Sequence, residues 1–333
     1  MRICRGSFII AMLLFVLACA AASPAWSQNV KITPLGSHTG EMCGRDRALL
    51  FEDPNGTTVL FDAGRTVAGA DDPRLPKKLD VVLVSSVHGD HQGDRRIAKV
   101  NAGTCKKPKT DVKTIPNSNS VEIAAKKGSF IVAAGQMRAY FIPRMIAAGA
   151  TKEQARKLVK RLRPGGKLEL KGVKVAAIPT VHSNGASTSF VIDAELAKAL
   201  KKSGLTVYVG PDSGFVLTFT NGLVVYLSAD TGHTSDMETI VRRYYNANVA
   251  VMNIGDVNTM GPEEGAWAVN ELIEPLTAIP THANEQSTKD GKVVPGSKAD
   301  KFIKKLDKEI TAQLPLSGRT MEFNGAGKCV KGC

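Results

Sequence analysis

Short apolar runs separated by polar turns set the rhythm of this chain. Residues 30–33, 48–51 and 58–61 read as three strands of a meander, with Asp53-Pro54-Asn55-Gly56 turning the chain between the second and third. Residues 80–85 and 129–133 carry apolar runs of the length of buried strands. Residues 173–178 alternate into Pro179, and 188–192 read as a further strand after a polar loop. Residues 215–219 and 223–227 flank Thr220-Asn221-Gly222, where an Asn-Gly pair provides the positive φ angles of a tight hairpin. Residues 249–253 and 277–279 complete the strands.

Helical periodicity falls between and after these runs, at residues 136–148, 152–162, 194–202, 235–246, 262–272 and 298–308. Thr234 or Ser235 suits an N-cap and Pro262 a first helical turn, while Pro143 predicts a break or kink in the first helix. Meanders interrupted by helices predict two sheets packed face to face with helices outside. No internal repeat or low-complexity linker divides the chain, so residues 28–333 are expected to form one domain.

The first 27 residues differ in kind. Arg2 and Arg5 precede an uncharged apolar stretch over residues 8–22, and Ala25-Trp26-Ser27 offers a small-x-small cleavage site. Residues 1–27 therefore read as a signal peptide, too short and wrongly flanked for a stable transmembrane span. Val16-Leu17-Ala18-Cys19 offers a second reading, a lipoprotein site that leaves Cys19 acylated. Either reading places the mature chain in the periplasm or outside the cell. Removing the leader takes the net charge from +13 to about +11. A basic balance favours an anionic small-molecule substrate, although its densest patch, residues 152–174, reads as a solvated helix and hairpin. Aromatic residues are few and do not interleave with the basic ones, so nucleic-acid binding gains no support. Cys43, Cys105, Cys329 and Cys333 remain after processing. In an oxidising compartment they predict two disulfides with three possible pairings; in one, Cys329 closes a short loop to Cys333 and leaves Cys43 with Cys105.

Only six histidines occur, and four stand just past predicted strands. Ser86-Val87-His88-Gly89-Asp90-His91 follows Val81-Val82-Leu83-Val84 and delivers two imidazoles and a carboxylate to one point. Such donors suit zinc, and also manganese or iron. His182, Asp230 and His282 each follow an apolar strand and precede small residues and a turn. Strands of one sheet ending on the same edge would bring all six together. His38 and His233 read as surface or supporting histidines rather than ligands.

This ordered set resembles the metallo-β-lactamase superfamily, whose His-x-His-x-Asp-His motif is followed by a distant His, an Asp and a final His. The likeness runs through essentially the whole mature chain. It implies an α/β fold, a four-layer αβ/βα sandwich of two mixed sheets with helices outside. It further implies that His88 and His182 serve one metal ion, that Asp90, His91 and His282 serve a second, and that Asp230 bridges them. One or two Zn2+ ions are expected, with Mn2+ or Fe2+ also compatible. A metal-bound hydroxide would attack the substrate, with Asp90 as the catalytic carboxylate that orients water and passes a proton onward. Ser183 and Asn184 are candidate substrate-binding donors, with pocket walls expected from residues 106–120 and 210–214. Gly261-Pro262-Glu263-Glu264, running on to Pro280-Thr281-His282, looks most like the lactonase-type branch.

One position departs from the pattern. Ser86 stands where the motif has its first histidine, and a hydroxyl is a poor, neutral zinc ligand. The sequence therefore predicts an asymmetric centre, firm at Asp90, His91 and His282 and weak at His88 and His182. The expected function is an exported metal-dependent hydrolase of a small ester, lactone or amide. Two alternatives stand beside it: a β-lactamase proper, and a non-catalytic envelope binding protein with a degenerate metal site.

Overall fold

The computed structural model describes residues 28–333, so the leader and Cys19 lie outside the described residues. Two large sheets organise the chain. The first orders its strands as Cys329–Lys331, Met321–Phe323, Val30–Pro34, Leu49–Glu52, Thr58–Phe61, Val81–Val84, Phe130–Ala134 and Val159–Leu162. The second runs Thr311–Ala312, Thr277–Thr281, Val249–Asn253, Val224–Leu227, Ser213–Thr218, Val173–Pro179 and Lys167–Leu170. Both are mixed. Antiparallel hairpins pair the early strands of each sheet, while crossovers make the pairings from Thr58–Phe61 to Val81–Val84 and from Val224–Leu227 to Val249–Asn253 parallel.

Period-two alternation explains the layers. Val81 and Leu83 face the apolar core between the sheets, whereas Val82 and Val84 face the helices outside the first sheet. Val249 and Val251 likewise point to the shared core, and Ala250 and Met252 to the helices outside the second sheet. A strand buried on both faces must be apolar throughout, which is why these segments read as unbroken hydrophobic runs. The expected αβ/βα sandwich is the architecture observed.

Local differences from the expected elements have identifiable causes. The periodic stretch at 152–162 divides: a capping box on Thr151 starts the helix Lys152–Leu158, and Val159–Leu162 then leaves it to pair with Ile131–Ala134 at a sheet edge. Residues 188–192 form no strand, because the Ser187 hydroxyl accepts from Ser189 N and starts the short turn Thr188–Phe190. A helix at Asn119–Lys127 escaped the periodicity, although Ser118 caps its start and Gly128, at φ 67°, closes its end. Met137–Ala147 continues through Pro143 without breaking. In the expected 235–246 and 262–272 helices, Met237–Arg242 and Ala268–Ile273 are wound as wide π-type turns. Cys43 pairs with Cys105 and Cys329 with Cys333. No helix among the described residues is long and apolar enough to cross a membrane.

Candidate metal centre

Four strands bring their C-terminal ends to one edge of the sandwich, and the ligand-type residues follow them. Val81–Val84 leads to His88, Asp90 and His91; Val173–Pro179 to His182; Val224–Leu227 to Asp230; and Thr277–Thr281 to His282. Two groups result, each with donor atoms within 4.8 Å of one another: His88, His182 and Asp230, and Asp90, His91 and His282. The His88 and His182 rings lie edge to face at 5.2 Å, and His91 and His282 stack at 5.4 Å. Asp230 links the groups. Its Oδ2 is 2.9 Å from His91 Nε2 and 3.7 Å from His182 Nε2, while its Oδ1 is 3.3 Å from His282 Nε2.

The backbone is strained where it presents these groups. His282 lies at φ 54°, Ala229 at φ 53° and Asp62 at φ 41°, a region that costs non-glycine residues about 1–2 kcal/mol each. Gly255 is required beside them, because a Cβ there would meet His282 O at 2.8 Å and His282 Nδ1 at 2.9 Å.

Charge at the centre is unevenly shared. Burial works against the Asp90 carboxylate, but Arg47, His91 and His282 outweigh it and hold Asp90 far below the usual carboxylate range. Burial likewise works against Asp230, and His91 and His282 overcome it. His91 is pulled the other way: burial disfavours its charge, yet Asp230, Asp62 and Asp90 raise it well above its ordinary value. His88 is lowered by burial and then by His91 and His182.

Ser86 does not act as a poor copy of the missing imidazole. Its buried hydroxyl donates to Asn184 Oδ1 at 3.3 Å and accepts from His88 N at 3.1 Å, tying the loop together. Asn184 corrects an expectation. Its Oδ1 also accepts from Val87 N at 3.0 Å and its Nδ2 donates to Gly210 O at 2.9 Å, so its amide ties the loop inside the protein, and Asn184 is not among the cavity-lining residues. Ser183 does line the cavity at the centre. That cavity, about 740 Å³, is bounded by His88, Asp90, His182, Asp230 and His282, and by a wall of Asp256, Val257, Asn258, Thr259 and Asn284. The expected walls at residues 106–120 and 210–214 are absent from this lining. Both remaining histidines stand apart: His38 meets Ser37 Oγ and Gly103 O, and His233 packs on Trp267.

Three polar residues at the centre went unread in the sequence. Asp62 Oδ2 lies 2.7 Å from His91 Nδ1 and accepts from Ser85 Oγ at 2.6 Å. Arg47 Nη1 donates to Asp90 Oδ2 at 2.6 Å. Burial raises Asp212 well above its ordinary value, and its Oδ1 accepts from Ser213 N at 2.7 Å. Only Asp62 carried a signal, standing directly after the strand Thr58–Phe61 as the other ligand-type residues stand after theirs.

Comparison with known proteins bears on the family and the fold. Residues 46–282 match the family described as the Beta-lactamase superfamily domain. Over 282 residues the chain is 27% identical to a UPF0173 metal-dependent hydrolase of Koribacter versatilis, covering 84% of this chain and 94% of that one. In three dimensions it is similar to Igni18, a metallo hydrolase of Ignicoccus hospitalis, with a TM-score of 0.56, 20% identity, and coverage of 89% of this chain and 99% of that chain. It is also similar to CmlA, a diiron β-hydroxylase of Streptomyces venezuelae, at a TM-score of 0.55 and 12% identity, covering 89% of this chain and 54% of that one. Likenesses as remote as the last two speak for the fold alone.

Proposed function

The chain belongs to the beta-lactamase superfamily and is a metal-dependent hydrolase, and from that premise we propose that it cleaves a small, uncharged ester, lactone or amide in the cavity beside Asp90. One observation carries the reading: six donor residues from four separate strand ends converge beside one open cavity, and five of them, all but His91, line it.

The side chains fit a cation. Asp230 Oδ1, a donor of the His88, His182 and Asp230 group, is buried without a hydrogen-bond partner. Such a group costs about 1–3 kcal/mol unless something meets it. His88, His182 and Asp230 would hold a divalent ion, and the donors suit zinc, manganese or iron. Bound there, the ion supplies Lewis acidity and a nucleophilic water at neutral pH. The chain's own groups do the rest. Asp90, a third exposed toward the cavity, accepts a hydrogen bond from the attacking water and fixes its direction. Arg47 holds that carboxylate in place. Ser183 and Asn258, both in the cavity wall, are placed to donate to substrate oxygens.

The wall favours an uncharged substrate. Asp256 adds an acid to the lining, and no Lys or Arg appears in it. A lactam drug carries a carboxylate that this wall leaves unmet, so nitrocefin is expected to turn over poorly. The two disulfides support a protein matured in an oxidising compartment, in line with export through the leader. Mass analysis of the mature N-terminus tests that: Gln28 is expected, and an acylated Cys19 would establish the lipoprotein route instead.

The test of activity is a panel of esters, lactones, amides and phosphoesters with the Zn2+- or Mn2+-loaded protein. Turnover of at least one uncharged carbonyl substrate is expected, lost with chelator and reduced about 10²–10⁴-fold in Asp90→Ala. A loaded, folded protein that hydrolyses none of them would leave the envelope binding reading standing in its place.

A further inference from the structure

The two donor groups are not equivalent, because one already holds a cation. His91 turns Nδ1 toward Asp62 at 2.7 Å, which leaves only Nε2 to face an ion shared with Asp90 and His282. Arg47 Nη1 lies 3.0 Å from that Nε2 and 2.6 Å from Asp90 Oδ2. A zinc ion would need the same nitrogen at about 2.0–2.1 Å and the same carboxylate at about 2.0–2.2 Å. The guanidinium nitrogen therefore stands on two of the three donors, and its permanent charge repels a second cation at that range. Arg47 is buried, with its side chain only 5% exposed, so departure into solvent would require the surrounding loops to open. Among the described residues no arginine or lysine bonds to His88, His182 or Asp230, whose Oδ2 lies 3.7 Å from His182 Nε2 and 2.9 Å from His91 Nε2.

We propose that Arg47 is the resident cation of the Asp90, His91 and His282 group, so that the enzyme carries one metal ion, at His88, His182 and Asp230. The guanidinium supplies the second positive charge without exchanging with solvent ions. This reverses the asymmetry the motif suggests: the half that lost an imidazole to Ser86 is the half that binds metal, and the half with every expected donor is closed by an arginine. The proposal rests on the hydrolase reading only for the presence of the first ion.

Native mass spectrometry after loading with excess Zn2+ and desalting counts the ions directly. One ion per chain is expected for the wild type, two for Arg47→Met, and one again for Arg47→Lys, which restores a cation. Two ions in the wild type, or one in a folded Arg47→Met, would overturn the proposal and leave the hydrolase reading intact. Asp90→Asn decides the matter if Arg47→Met does not fold. That variant is expected to keep its single ion with Zn2+ affinity changed less than about threefold, and loss of the ion would place it at the wrong half. No ion in any of the four proteins would overturn both readings.

Discussion

Asp62 Oδ2 and His91 Nδ1 meet at 2.7 Å, with both partners almost wholly buried. The second oxygen of the same carboxylate accepts from Ser85 N at 2.9 Å, so the carboxylate cannot rotate away. This contact fixes which nitrogen of His91 faces the centre, and a carboxylate in that position also raises the basicity of the ring.

Asp62→Asn keeps the shape and removes the charge. It is expected to weaken metal affinity or kcat/KM about 10–100-fold, the scale of losing a supporting partner at a metal centre, because His91 Nε2 meets the ligand Asp230 at 2.9 Å. Isothermal titration with Zn2+, beside steady-state kinetics, reads both quantities. An unchanged value in each would mean that Asp62 serves only the fold of the strand end.

Asn184 yields a prediction of a different kind. Because its amide bonds Ser86, Val87 and Gly210, Asn184→Ala leaves a buried backbone N–H and C=O without partners. A loss of about 1–3 kcal/mol is expected in urea unfolding, with KM for the best substrate little altered. The opposite split, a raised KM with stability intact, is what a substrate donor would give.

Much of the centre was legible because strand ends leave a sequence signature: an apolar run, a ligand-type residue, then small residues. His88, Asp90, His91, His182, Asp230 and His282 all carry it, and Asp62 carried it unnoticed. Arg47 had no such mark. It enters from the loop before Leu49–Glu52, and nothing local distinguishes an arginine that reaches the centre from one that reaches water. The wall at Asp256–Asn258 was hidden for a related reason, since Asp256 and Val257 both adopt φ 63°, a conformation their residue types do not announce. Asn184 misled for the converse reason: a polar residue just past a ligand looks exposed until the loop it ties is seen. The four-residue strand Val159–Leu162 was read as helix because only its pairing partner, far off in sequence, makes it extended.

The disulfides should differ sharply in effect. Cys43 and Cys105 are 62 residues apart, and closing such a loop restricts the unfolded chain by about 4 kcal/mol in the chain-entropy account. Cys329 and Cys333 are separated by only 4 residues, for which the same account gives about 2 kcal/mol. Paired Cys→Ser replacements, unfolded in urea without reductant, are expected to show the larger loss for the first bridge. Equal losses would mean that native-state packing at Cys43, rather than chain entropy, sets the effect.

Away from the centre, acid should destabilise the protein through Asp72. Its side chain is fully buried, accepting from Ala68 N at 2.8 Å, from Arg74 N at 3.0 Å and from the Arg74 guanidinium at 2.7 and 2.9 Å. Burial would raise its carboxyl, but the Arg74 hydrogen bonds and charge prevail and hold it below its ordinary value. A carboxyl lowered on folding binds its proton more readily in the unfolded chain. Its contribution is therefore complete above about pH 4, the unfolded value, and is lost as pH falls through the folded value. Asp72→Asn leaves Arg74 facing a neutral partner and is expected to cost about 2–3 kcal/mol at pH 7. As pH falls below about 4 the gap between variant and wild type should narrow, because the unfolded wild type takes up a proton there that the variant cannot. Urea unfolding of both proteins from pH 7 down to pH 2 measures the gap directly; a difference that stays constant across the range would assign the loss to packing rather than to the ionised pair.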